Sequence, residues 1–248
     1  MAPGGLSHAR EQGYDRSMNS LPSVDAGTSA DWPDLVDELD LWERAGHIAV
    51  LWWRDDDAVT ATPQLGELLR LAGEVPLALA AIPALARPEL ADALQDRPQV
   101  AVLQHGWQHL DRARHGKKSE YPAGRPAFEV AAEIGAGRAR LKAMFGARAL
   151  PALVPPWNRF ASEFLPLLCG NGIAAISTMA SPRDAALPSG LVAIDVHIDL
   201  VAWHCGRGFI GESAALGGLV DHLRQRRDRK STRLNSSHAT LSRMPSSA

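Results

Sequence analysis

Cysteine is nearly missing: Cys169 and Cys205 are the two in 248 residues, too few for a disulfide framework and without metal-type spacing. That leaves a free-thiol protein of a reducing compartment, so a cytoplasmic location is expected. No apolar run approaches the roughly 20 residues of a membrane span, and the N-terminus lacks the continuous apolar core of a signal peptide. Charge of one sign is also missing. Lys and Arg total 26 against 28 Asp and Glu, a net charge of -2 that excludes electrostatic capture of a nucleic acid. There is no Gly-x-Ser-x-Gly elbow, which argues against a serine nucleophile. What is present is an ordinary globular composition, 46% hydrophobic and 22% charged, enough for a sizeable core. None of this sets an oligomeric state.

Residues 1–30, rich in Gly, Ser, Pro and Asn, read as a disordered leader. Asp31 and Pro33 then open a helix carrying Leu35, Leu39 and Trp42 at helical spacing, stopped by Gly46. Thr62-Pro63 opens a second, with Leu65, Leu68, Leu69 and Ala72 inward and Gly73 at its end. Apolar strands are expected over 47–53, 77–82, 100–104, 150–154, 173–178 and 192–198, and further helices over 88–94, 128–145, 162–169 and 217–227. Strand and helix alternate through short connections, the signature of a parallel α/β sheet, open or closed into a barrel. From about Arg229 the sequence turns Ser-rich and aperiodic, and 229–248 read as foreign to the fold, leaving 31–228 as one domain.

Parallel α/β folds build their sites at the carboxyl ends of strands. The first strand delivers Asp55-Asp56-Asp57, three acids that need solvent, an ion-pair network or a metal. An acidic turn would also place them there. The third strand delivers His105 and His109, four apart, which on a helical turn would share one face. Two exposed histidines are the plain alternative; with a carboxylate they form a usual catalytic zinc set. The fourth delivers Pro155-Pro156-Trp157-Asn158-Arg159, either a rigid packed turn or an aromatic shelf for a sugar ring. Asp195, His197 and Asp199 alternate along the last strand, as an ion-pair cluster or as groups orienting a ligand, with Trp203 just beyond.

In that order (acids, HxxxH, proline-aromatic turn, Asp-bearing strand ending in Trp) the chain resembles the polysaccharide deacetylases of the NodB homology type over roughly residues 47–211. The resemblance implies a distorted (β/α) barrel of about seven parallel strands. It also implies one divalent metal, zinc foremost, and hydrolysis of acetyl groups on N- or O-acetylated carbohydrate. Matching motifs residue by residue implies Asp57, His105 and His109 as metal ligands and Asp56 as general base. A register one residue earlier gives Asp55 as base and Asp56 as ligand, and both registers stand. Pro156, Trp157, Asn158, Arg159 and Trp203 fall where substrate would be met. Three features depart from the family. Val154 stands where its turn has Arg, leaving Arg159 as the nearby substitute, and Ala58 replaces a Gly. The late Leu-x-His motif has no match before residue 229, which implies a barrel truncated at that end and turnover that is slow or absent. Two other functions compete: a non-catalytic carbohydrate-binding domain, and a metal-dependent hydrolase of another amide or ester.

Overall fold

The computed structural model describes residues 29–179, 186–203, 206–230 and 238–243. Residues 1–28 of the expected leader, and 231–237 and 244–248 of the tail, lie outside them.

Helix α1 (Trp32–Arg44) begins on a capping box, the Asp31 carboxylate accepting from Asp34 N–H and the Asp34 carboxylate from Asp31 N–H. Helix α2 (Pro63–Ala72) starts on Thr62, whose hydroxyl accepts from Leu65 N–H at 3.1 Å. Between and after them come β1 (Val50–Ala58), β2 (Leu77–Ala81), α3 (Pro88–Ala93), β3 (Val100–His105), α4 (Ala127–Phe145), β4 (Ala149–Val154) and α5 (Leu165–Gly170). Two-residue strands β5 (Ala175–Ile176), β6 (Val192–Ala193) and β7 (Ile198–Asp199) follow, then α6 (Glu212–Lys230) and β8 (His238–Arg243). Among the described residues these strands pair in parallel, in the order β6-β5-β4-β3-β2-β1-β8-β7.

The strand expected over 192–198 is therefore two strands, one at each end of the sheet. The four residues Ile194 to His197 join them, and at 3.3–3.6 Å per residue that join reaches about 18 Å at most. Eight strands laid flat would hold their edges roughly 34 Å apart at ~4.8 Å spacing. The sheet must curl, and it does so into an open, barrel-like trough. Among the described residues eight strands stand where about seven were expected, because β8 enters between β1 and β7. That segment belongs to the stretch read as foreign. Its pairing runs from Val50↔His238 to Asp55↔Arg243 through backbone groups, which any sequence can offer to an open sheet edge.

Period-two alternation sorts the strands' side chains. Leu77, Leu79 and Ala81 pack outward against Leu65, Leu68, Leu90 and Leu141 of the helices. Ala78, Ala80, Leu103 and Val154 turn to the other face, with Trp52 and Ala152 against them. At Gly137 of α4 a Cβ would stand 2.3 Å from Nε2 of the buried Gln104 side chain on β3. This explains a glycine inside a helix. Among the described residues no helix is long and apolar enough to cross a membrane.

Candidate metal centre

Strand β1 runs on through the three acids instead of stopping before them. Its register with β2 shifts between Asp55 and Ala58, and Asp57 takes φ 65. Such an irregularity re-aims side chains beside a site. Asp55 is buried, at 1% exposure. Asp56 meets Arg54, two residues back on the same strand. Arg54 Nη2 donates to Asp56 Oδ2 at 2.9 Å, and Nε lies 2.8 Å from Oδ1, an ion-pair approach off the hydrogen-bond axis. Asp57 turns to the histidines, its Oδ1 lying 2.7 Å from His105 Nε2 and 3.2 Å from His109 Nε2.

The histidines converge by a different route from the helical turn expected of their spacing. His105 ends β3, Gly106 has φ +59 and His109 φ 58, so a left-handed turn folds the second imidazole back over the first. Their ring centroids are 5.1 Å apart. One ligand atom from each of Asp57, His105 and His109 lies within 4.8 Å of the others.

The donor chemistry fits a cation. His105 Nδ1 sits 2.9 Å from the Val154 carbonyl, which can only accept, so Nδ1 carries the proton. A neutral imidazole then presents a lone pair at Nε2 to a carboxylate oxygen 2.7 Å away. Two lone pairs so placed repel, and the gap calls for a positive centre: a proton on Nε2 or a metal ion. Burial alone would raise the Asp57 carboxyl, but the His105 hydrogen bond and the charges of both imidazoles outweigh it and hold the group below its usual value. Burial likewise opposes charge on His105, yet the Asp57 hydrogen bond and the Asp56 and Asp57 charges raise its pKa above 6.5. At His109 burial wins, and its pKa falls.

The guanidinium of Arg54, fully buried, is shared four ways. Besides Asp56 it donates to Asn158 Oδ1 at 3.0 Å, Ser177 Oγ at 2.8 Å and the Ser177 carbonyl at 3.3 Å. From the sequence it is a candidate ion-pair partner for the adjacent Asp55, and the structure pairs it with Asp56. Arg159, the expected substitute for the missing turn arginine, reaches the Lys118 carbonyl instead, at 2.8 Å. The signal for Arg54 was available, since residues two apart on a strand share a face.

The proline-aromatic turn closes over the centre. Pro156 is buried, Trp157 lies with its ring 4.4 Å from that of His109, and Trp157 and Asn158 have φ 55 and 56. Of the later residues, Asp195 accepts from Thr178 N–H at 2.9 Å and Thr178 Oγ1 at 2.8 Å. His197 stacks on His222 at 4.0 Å. Asp199 accepts from the indole N–H of the exposed Trp203 at 2.7 Å. They do not form one strand face, because 194–197 is the join between β6 and β7.

No family model matches the chain. No curated protein matches it either. Solved structures do. A candidate polysaccharide deacetylase from Mycobacterium smegmatis is 20% identical with a TM-score of 0.51, over 74% of this chain and 63% of that one. IcaB from Ammonifex degensii is 15% identical with a TM-score of 0.46, over 65% and 81%. The BpsB deacetylase domain from Bordetella bronchiseptica is 14% identical with a TM-score of 0.43, over 73% and 91%. The chain thus spans somewhat under two thirds of the M. smegmatis protein, and what it shares with that protein is a fold, the curled parallel α/β sheet.

Proposed function

We propose that the chain is a metal-dependent deacetylase, a hydrolase of non-peptide C–N bonds (or of esters) that releases acetate from acetylated carbohydrate. One observation carries the reading: Asp57, His105 and His109 converge beside a second carboxylate, Asp56, that is held apart from them by Arg54. Asp57, His105 and His109 would hold one divalent ion, and a two-histidine, one-carboxylate set favours zinc. Such an ion supplies Lewis-acid polarisation of an acyl carbonyl and makes a neighbouring water easier to deprotonate.

The chain's own residues do the rest. Asp56, aimed by Arg54 and 13% exposed at its side chain, takes the proton of the attacking water, a role typically worth ~10²–10⁴ in rate. The water oxygen bonds to the acyl carbon as the C–N or C–O bond breaks, acetate leaves, and the amine or alcohol takes the proton that Asp56 removed from the water. Trp157, half-buried against His109 and backed by the buried Pro156, is the shelf for the sugar ring, with Asn158, Trp203 and the Arg159 backbone segment assigned to the same substrate wall. Asp199 orients Trp203 through its indole. Asp195 steadies Thr178, next to the Ser177 that receives Arg54, and His197 braces this wall against His222. Asp55, buried on the strand, is assigned a supporting role, with the base at Asp56.

The test is acetate release from N-acetylated and O-acetylated sugar oligomers by metal-loaded protein. Asp56→Asn is expected to keep the metal and lose ~10²–10⁴ in rate. If Asp55→Asn loses turnover and Asp56→Asn does not, the assignment moves one residue back. Metal uptake without acetate from either substrate leaves the binding-domain reading in its place.

Proton competition gives a second expectation. His105 binds its proton more tightly than an ordinary histidine, and a metal must displace that proton. Metal affinity is therefore expected to fall with acidification, beginning above pH ~6.5. Titration calorimetry between about pH 5.5 and 8 checks this; affinity constant across that range would remove His105 from the ligand set.

A further inference from the structure

Between the two histidines run Gly106, Trp107 and Gln108, and this loop is held from outside. Glu120 Oε2 accepts from Trp107 N–H at 3.0 Å and Oε1 from Gln108 N–H at 2.7 Å. Gln104 Nε2 donates to the Gly106 carbonyl at 3.1 Å, and Gly106 N–H donates to the Val154 carbonyl at 3.1 Å. Glu120 is fully buried. A Cβ on Gly106 would stand 2.0 Å from Glu120 Oε2 and 2.7 Å from Pro156 Cδ. A left-handed residue followed by two N–H groups aimed at one point is a backbone nest for an anion. Here the anion is the chain's own carboxylate. Its residue is anchored from the far side, where Arg125 Nη1 donates to the Glu120 carbonyl at 3.0 Å and the same guanidinium bonds both Glu133 oxygens at 2.9 Å.

Burying a carboxylate in this way carries a heavy desolvation cost. A loop needing only general rigidity could satisfy two N–H groups with backbone carbonyls or water at less expense. What the carboxylate adds is direction. By fixing Trp107 and Gln108 it determines how the chain enters His109, whose left-handed φ brings Nε2 to Asp57. We propose that Glu120 is a positioning residue of the metal centre, setting cation affinity by locking the His105–His109 loop in its ligating shape. The proposal rests on the metal-binding reading above.

Glu120→Gln keeps the shape and one acceptor but turns an NH₂ toward one of the two N–H groups. Wild type and variant are titrated with cobalt(II), followed by its visible absorption, and with zinc(II) in competition. Apo-protein unfolding is recorded alongside. The expected result is a ~10–100-fold weaker metal affinity, the usual effect of losing a group that orients a ligand, with an altered cobalt spectrum from protein that is still folded. Gly106→Ala provides a second route, since its methyl displaces the intact carboxylate. It should weaken affinity similarly, and adding Glu120→Gln to it should cost little more. Affinity within twofold of wild type in either folded variant overturns the proposal. So does a loss that tracks only the unfolded fraction. If wild type itself takes up neither metal, the metal-binding reading falls and this inference with it; if wild type binds and the folded variants bind equally, this inference alone falls.

Discussion

Asp57→Asn is expected to weaken divalent-metal affinity by more than the ~10–100-fold that a supporting group is worth, because it removes a ligand itself. Asparagine is the informative replacement. It keeps the side chain's shape and tolerates the left-handed backbone at this position (φ 65), so a loss is not strain in the loop. Its amide can accept but carries no charge, and the one oxygen facing both imidazoles, at 2.7 and 3.2 Å, loses its negative charge. The effect has a second readout. The hydrogen bond and charge of Asp57 help lift the His105 pKa, so in the metal-free variant His105 should titrate lower, as seen in its ring-proton NMR shifts. A variant that binds metal within tenfold of wild type, or an unmoved His105 titration, would refute the arrangement.

Arg54→Met should produce the largest stability loss of any single change at the site. The guanidinium is fully buried, and its removal leaves Asp56 a largely buried charge without its cation. Breaking such a pair on one side costs about 3–5 kcal/mol, which for a domain of this size is a Tm lower by roughly 6–20 °C. Ser177 Oγ and Asn158 Oδ1 lose a partner at the same time. Arg54→Met combined with Asp56→Asn should recover part of the loss, because the stranded charge is gone. Urea melts of the two single variants and the pair measure the coupling. A single-variant loss below about 1 kcal/mol, the scale of an exposed ion pair, would mean that Asp56 is well solvated without its arginine.

The residues that sequence could place are those whose position follows from sheet geometry. Parallel strands deliver their carboxyl ends to one face, so Asp57 from β1 and His105 from β3 could be brought together without coordinates. His109 was found for an incomplete reason. Its spacing suggested a helical turn, and the convergence comes from Gly106 and its own φ of 58. The choice among Asp55, Asp56 and Asp57 stayed open because a register shift in β1 resets the pleat just there, and nothing in three identical side chains marks it. Arg54 was legible by alternation, but attention to the empty position at Val154 pointed to Arg159, whose guanidinium turns away. Glu120 had no local signal at all. It lies in a polar loop, and only the folded chain brings its carboxylate beneath the histidine turn. The division of 192–198 between opposite sheet edges was equally hidden, since an apolar run carries no record of which neighbour it will pair with.

Asp57, His109, Trp157 and Asn158 all adopt left-handed backbone without being glycine, at a cost of order 1–3 kcal/mol each. The consequence concerns portability. Copying Asp, His and His onto the strand ends of some other barrel would transfer the side chains and leave behind the kinks that aim them, and a relaxed host backbone would point each donor elsewhere. On the proposed reading, the unit to be inherited or transplanted is a set of contorted loops with their braces, Arg54 and Glu120 included, in which the three proposed ligands are the visible tips.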